Sequence, residues 1–207
     1  SMWDFTENSA EDFDGYRPEP SAWSEVGYVQ PYQDCPWDNE PVGLSVYLNL
    51  INRAKRYVYI TTPYLVIDYS MTVALTTAAK SGVDVRIITP HIPDKKTVFE
   101  VTRAHYDELL EAGVKIYEYT PGFIHSKNFV VDDCYATVGT VNMDYRSMFL
   151  HFENGVLLYG TPTVHHIRDD FLSTQDKSVA VTLEQCKSVP YYRRLGREIL
   201  QVLAPLL

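Results

Sequence analysis

Apolar segments of two different periods alternate along most of this chain. Residues 57–62, 83–89 and 115–119 are short runs rich in β-branched and aromatic side chains, and each reads as a strand. Between them, residues 44–55, 69–80 and 96–111 carry apolar side chains at helical spacing. The second of these ends on Ser81-Gly82 and the third on Ala112-Gly113, both helix stops. Farther on, residues 125–131 and 135–139 are expected as a hairpin turning at Asp132-Asp133, and residues 152–159 as another strand. Residues 163–173, 183–186 and 193–203 are expected as helices, and residues 27–31 are a candidate first strand. Strands alternating with helices predict an α/β domain with a parallel or mixed central sheet covered by helices.

One stretch carries chemistry. Residues 125–142 read HSKNFVVDDCYATVGTVN, which reduces to H-x-K-x4-D-x6-G-T-x-N and occurs once. Two residues apart, His125 and Lys127 point to the same face of a strand. Phosphodiester exchange without a metal needs a nucleophile that is uncharged before attack and leaves well afterwards, and a neutral imidazole meets both demands near neutral pH. Lys127 would hold the phosphate and stabilise the extra negative charge of a pentacoordinate transition state. Thr140 and Asn142, from the next strand and its turn, can donate to the same phosphate oxygens. Asp132 and Gly139 belong to the pattern by spacing, with structural roles at the hairpin end and in the strand. The pattern reads as one half of a phosphodiester-cleaving site.

The likeness extends beyond this stretch. Residues 41–207 resemble the C-terminal catalytic half of bacterial cardiolipin synthases, members of the phospholipase D superfamily. The resemblance is carried by residues 57–64 (YVYITTPY), 81–90 (SGVDVRIITP), 112–127 (AGVKIYEYTPGFIHSK) and 138–153 (VGTVNMDYRSMFLHFE). The closing LAPLL of residues 203–207 also looks like that family's C-terminus. The resemblance implies a phospholipase D-like fold, a central mixed β-sheet flanked by helices. It implies a site built from two facing HxK half-motifs, of which this chain holds one. The implied reaction transfers a phosphatidyl group between two phosphatidylglycerol molecules, with no metal or organic cofactor. One histidine becomes a phosphohistidine and the other acts as general acid. Glu153, 28 residues after His125, is implied to accept from His125 Nδ1–H and fix its tautomer.

The same resemblance marks departures and lesser residues. The family more often has Ser at Thr140 and often Asn at His151. Arg146-Ser147 resembles a D-x-R-S stretch, and Arg146 is expected to pair with a carboxylate rather than with lipid phosphate. Tyr64, at a strand end, either faces substrate or packs. His91, His105, His165 and His166 lack companions at metal-ligand spacing and read as ordinary histidines. The implied partners are phospholipid, a membrane reached through helices expected before the first half, and that missing catalytic half. A homodimer is the other way to complete the site. The full-length protein is expected at a bacterial membrane with a soluble catalytic domain, and the fragment itself is expected to be soluble. Two alternatives stand: a homodimeric phosphodiesterase or nuclease, and an inactive fragment that binds lipid or phosphate.

Charge separates the chain into two parts. Residues 1–40 hold ten acidic residues and one basic, Arg17, which accounts for the whole net charge of −9; the remainder is neutral. A neutral body with an acidic leader is a poor nucleic-acid binder, so no nucleic acid is expected as a partner. Residues 1–40 read as a connector leaving the missing first half, and residues 41–207 as the catalytic domain. The leader's aromatic residues, among them Trp3, Phe5, Trp23, Tyr28, Tyr32 and Trp37, are expected to pack their rings against the body or a partner. Cys35, Cys134 and Cys186 are odd in number and widely spaced, and read as reduced thiols. No apolar run reaches the ~20 residues that span a bilayer. In the last helix Leu195, Ile199, Leu200 and Leu203 form an apolar stripe beside Arg193, Arg194 and Arg197, and core packing of that stripe is expected over membrane contact.

Overall fold

The computed structural model describes residues 6–7, 12–17 and 26–202. Within it the strands are β1 (Tyr28–Asp34), β2 (Tyr57–Thr61), β3 (Leu65–Val66), β4 (Asp84–Pro90), β5 (Lys115–Tyr119), β6 (Asn128–Val131), β7 (Tyr135–Gly139), β8 (Met143–Asp144), β9 (Glu153–Tyr159) and β10 (Ser178–Ala180). The helices are α1 (Val42–Arg53), α2 (Tyr69–Lys80), α3 (Lys96–Ala104), α4 (Tyr106–Glu111), α5 (Tyr145–Phe149), α6 (Thr163–Gln175), α7 (Leu183–Lys187) and α8 (Tyr191–Val202). Eight strands form one mixed sheet in the order β1-β9-β7-β6-β2-β4-β5-β10, and β3 pairs with β8 in a small parallel ribbon.

Strand β2 lies in the middle of the sheet and all five of its residues are buried, which is why it reads as a continuous apolar run. Its side chains alternate faces. Val58 and Ile60 enter the core beneath α1, α2 and α4, together with Val85, Ile87, Ile116 and Phe129. Tyr57 and Tyr59 point the other way, toward Val164 and Phe171 of α6. The sheet is thus covered by helices on both faces, as the alternation of periods predicts.

Strands β2, β4 and β5 run parallel, and β6 pairs antiparallel to β2 with Thr61 opposite Asn128. The C-terminal ends of the three parallel strands and the entry to β6 therefore share one edge of the sheet. That edge collects residues following β2 (Tyr64), following β4 (Asp94 to Lys96) and preceding β6 (His125 to Lys127).

Several expectations are corrected. Residues 96–111 are not one helix: α3 and α4 meet at His105, whose buried ring interrupts the run. Burial also holds the His105 imidazole down to a pKa of about 4. The hairpin strand begins at Asn128, three residues later than expected, because residues 125–127 make no ladder with β2. The candidate first strand at residues 27–31 is borne out as the edge strand β1, which is antiparallel to β9 throughout.

The last helix presents its apolar residues the other way round from expectation. Leu195 and Ile199 are exposed, whereas Arg197 is buried with Nε donating to Glu100 Oε2 at 2.7 Å. Arg193 binds the other oxygen of Glu100. Among the described residues of the stripe, only Leu200 packs inward, against the cluster of Val66 and Val101. The shared carboxylate on α3 draws the arginine face of α8 to the body, and Leu203 lies outside the described residues. Of the leader's aromatics, Trp37 meets Phe152 edge-on at 4.9 Å and Tyr28 stacks on Tyr159 at 6.1 Å. Trp3, Phe5 and Trp23 lie outside the described residues.

Candidate active site

The hairpin that carries the H-x-K pattern is anchored at its far end. Asp132 and Asp133 both adopt positive φ (54° and 60°), the conformation of a tight hairpin turn, and Cys134 N–H closes it onto Val131 O at 2.9 Å. Asp132 accepts three backbone N–H groups, from Lys55 (2.7 Å), Arg56 (2.9 Å) and Tyr57 (2.8 Å). Asp133 takes Arg56, Arg168 and the Tyr57 hydroxyl; these partners outweigh burial and hold its carboxyl down at about 2. Asp132 thus ties the hairpin to the entry of β2, at the opposite end of β6 from His125.

At the near end, Gly139 of β7 lies against β9 with no room for a side chain. A Cβ there would stand 2.4 Å from Asn154 O and 2.6 Å from Gly155 Cα. This close approach lets Thr140 N–H reach Asn154 O at 2.9 Å and Gly139 N–H reach Lys127 O at 3.3 Å. Residues 127, 139–140 and 153–154 are thereby brought side by side.

Lys127 is buried, only 8% exposed, yet no carboxylate lies within ion-pair distance among the described residues. Its ammonium donates to the carbonyl of His125 at 2.7 Å. Burial lowers its pKa, against the pull of Glu153 and Asp144. A buried ammonium with one neutral acceptor is under-solvated, and an anion would complete its shell. His125 is exposed and its ring lies 5.7 Å from that of Phe123. Partial burial, then the nearby Lys127 charge, depress its pKa below the ordinary 6.5, and Asp94 opposes them. The imidazole is therefore neutral at neutral pH, the form a nucleophile needs.

The remaining residues are brought together differently from the reading by resemblance. Glu153 is buried and accepts the Thr140 hydroxyl proton, with His151 Nδ1 3.6 Å from its other oxygen. Among the described residues no hydrogen bond joins Glu153 to His125. Thr140 Oγ also accepts Asn154 N–H at 3.0 Å, so it is engaged on both sides. Asn142 donates Nδ2–H to Ser147 Oγ at 3.0 Å, and its buried Oδ1 has no partner. A half-turn of the amide lets the Ser147 hydroxyl donate to Oδ1 and leaves the NH2 in the unsatisfied position, free to donate.

Asn142 lines a cleft of about 570 Å³, together with Tyr64, Lys95, Lys96, Asp144, Tyr145, Arg146 and His151. Tyr64 joins this cleft to His125 through Phe123, whose ring is 6.3 Å from that of Tyr64. Tyr64 also donates its hydroxyl to Asp94 at 2.5 Å. Arg146 pairs with no carboxylate among the described residues, contrary to expectation; Asp144, two residues before it, caps α5 by accepting Ser147 N–H at 2.8 Å. The contribution of Asp94, Lys95 and Lys96 escaped the sequence reading. They follow β4, and the rule that ligands bind beyond the carboxyl ends of parallel strands points to them. Among the described residues no cluster of three or more His, Cys, Asp or Glu side chains is arranged to hold a metal.

A family model described as cardiolipin synthase, PLD-like domain, matches residues 47–175. The chain belongs to this cardiolipin synthase family of phospholipase D-like domains. An uncharacterized protein of Streptococcus mutans is 48% identical over 181 residues, covering 87% of this chain and 39% of the relative. A cardiolipin synthase of Geobacillus kaustophilus is 44% identical over 181 residues, 87% of this chain and 36% of its own length. The chain thus spans less than two-fifths of these relatives. Among solved structures, the phosphatidylserine synthase of Haemophilus influenzae superposes with a TM-score of 0.71 at 16% identity, over 88% of this chain and 48% of that one. The phospholipase D family member Nuc of Salmonella typhimurium superposes at 0.65 with 19% identity, over 76% of this chain and 99% of its own. The fold is phospholipase D-like.

Proposed function

We propose that this chain is one half of the active site of a phosphatidyltransferase that makes cardiolipin from two phosphatidylglycerol molecules. The observation that carries the reading is the buried Lys127 ammonium, without a carboxylate partner, beside an exposed and neutral His125. In this reading Lys127 and the Asn142 amide hold the reacting phosphate. Glu153, hydrogen-bonded by Thr140, supplies negative charge close to Lys127. His125 works with a second histidine outside this chain. One imidazole nitrogen attacks phosphorus, the bond to the glycerol headgroup breaks, and the departing alkoxide takes a proton from the other imidazole. The hydroxyl of a second phosphatidylglycerol then gives a proton to that imidazole and attacks phosphorus, and the P–N bond breaks. No step calls on a metal or organic cofactor.

In this reading residues 1–40 connect to the other half, and the membrane is reached through segments outside this chain. Among the described residues, no helix is long and apolar enough to cross a membrane. The test is the full-length protein in phosphatidylglycerol vesicles, with cardiolipin and glycerol both quantified. The expected result is one glycerol released per cardiolipin formed. Glycerol release without cardiolipin, or hydrolysis of other phosphodiesters alone, overturns the transferase reading.

One HxK pattern per chain also fits a second reading, a homodimeric phosphodiesterase in which each subunit contributes one histidine. That reading predicts turnover that rises with dimer concentration in the isolated chain.

A further inference from the structure

All ten arginines of the chain lie among the described residues, and nine of them have a partner there. Eight face a carboxylate and Arg53 donates to Asn49. Arg146 is the exception: its side chain has neither ion pair nor hydrogen bond among the described residues. It is exposed on α5 and lines the cleft that Asn142 also lines. Lys95 and Lys96 line the same cleft, likewise without an ion-pair partner among the described residues. Lys95 stands 6.0 Å over the ring of Tyr64. The one carboxylate lining the cleft, Asp144, is engaged in capping α5. Three cations and one carboxylate therefore line the cleft, and the exposed guanidinium among them has no protein partner among the described residues.

A planar guanidinium presents a fork of donors matched to two oxygens of a phosphate. In the proposed reading the reacting phosphate is held at Lys127 and Asn142. Arg146 lies four residues beyond Asn142, past β8 on α5, and lines the same cleft, where its fork of donors is available to a second phosphate. A phosphatidylglycerol acceptor carries its own phosphodiester, three carbons from the hydroxyl that attacks. We infer that the cleft binds the acceptor lipid, with Arg146 gripping the acceptor's phosphate and Lys95 and Lys96 adding to the field. This rests on the transferase reading above and deepens it by naming what selects the acceptor. Water and simple alcohols lack the second phosphate, so this grip favours lipid over them at the same phosphohistidine.

The experiment is a competition in the full-length protein. Mixed micelles of phosphatidylglycerol are supplied with ethanol, and cardiolipin and phosphatidylethanol are measured together. Both products arise from one phosphohistidine, so changes in donor binding cancel in their ratio. Arg146→Gln should lower the cardiolipin-to-phosphatidylethanol ratio about ten-fold or more, the size expected for loss of a charge-assisted contact. Arg146→Lys, which keeps the charge without the fork, should recover part of the ratio. An unchanged ratio in Arg146→Gln, whatever happens to the total rate, overturns the acceptor site while leaving the transferase reading intact. Wild-type protein that forms phosphatidylethanol but no cardiolipin overturns both.

Discussion

His125→Ala in the full-length protein should lower phosphatidyl transfer by at least about 10³-fold, the range for losing a nucleophile or general acid. Its stability should stay within about 0.5 kcal/mol of wild type, because the ring is exposed and its recorded contact is a tilted one with Phe123. That pairing of a large kinetic effect with a small thermodynamic one separates a chemical role from a packing role. The pH profile assigns the role. Partial burial and the Lys127 charge place the His125 pKa below the ordinary 6.5. If His125 attacks, the rate falls as it gains a proton, and the acidic limb of kcat/KM lies below pH 6.5. If it is the general acid, the rate falls as it loses a proton, and the descending limb begins in that same low range. Adding a proton to a group whose native pKa is depressed also costs stability. The His125 contribution is thus neutral above pH 6.5 and turns unfavourable as pH drops below it.

Gly139→Ala should cost about 3 kcal/mol or more, measured as the shift in urea unfolding. The added methyl would meet the Asn154 carbonyl and the Gly155 Cα, both backbone, which no side-chain rotation relieves. β7 and β9 must then separate, taking Thr140 from Glu153 and loosening the frame around Lys127. Activity should fall along with stability. Gly122→Ala provides the control: it lies in the loop before His125, and nothing stands within 4 Å of its added Cβ. Its stability should change by less than about 0.5 kcal/mol.

The contrast between those two glycines shows what can be read from a sequence. The spacing of Gly139 within H-x-K-x4-D-x6-G-T-x-N marks it as structural. The reason, a backbone from β9 pressed against it, belongs to strand pairing that spacing does not reveal. Strand β2 is legible because burial on both faces makes it a continuous apolar run, whereas β4 and β5 are legible from the β-branched and aromatic residues between their charged ones. β3, β8 and β10 are two or three residues long, too short to leave a period, and were not anticipated. The hairpin turn at Asp132-Asp133 is legible from two residues that tolerate positive φ. The three backbone donors that Asp132 gathers from residues 55–57 come from the far side of the chain. Lys127 and His125 stand out by residue type and spacing. The partnership of Thr140 with Glu153 does not, nor does the solitary state of Arg146, because each depends on which side chain a neighbouring acid reaches first. The amphipathic period of α8 is plain in sequence, but the carboxylate of Glu100 decides which of its faces turns inward.

The central claim is that this chain carries half of a two-histidine site. It is tested most directly by assaying the isolated 207-residue chain and the full-length protein side by side on phosphatidylglycerol, with the isolated chain confirmed monomeric by sedimentation. The full-length protein should form cardiolipin, and the monomeric chain should form none, with or without His125→Ala. Cardiolipin formation by the monomeric chain that disappears in His125→Ala would contradict the claim, since a single imidazole would then complete the reaction.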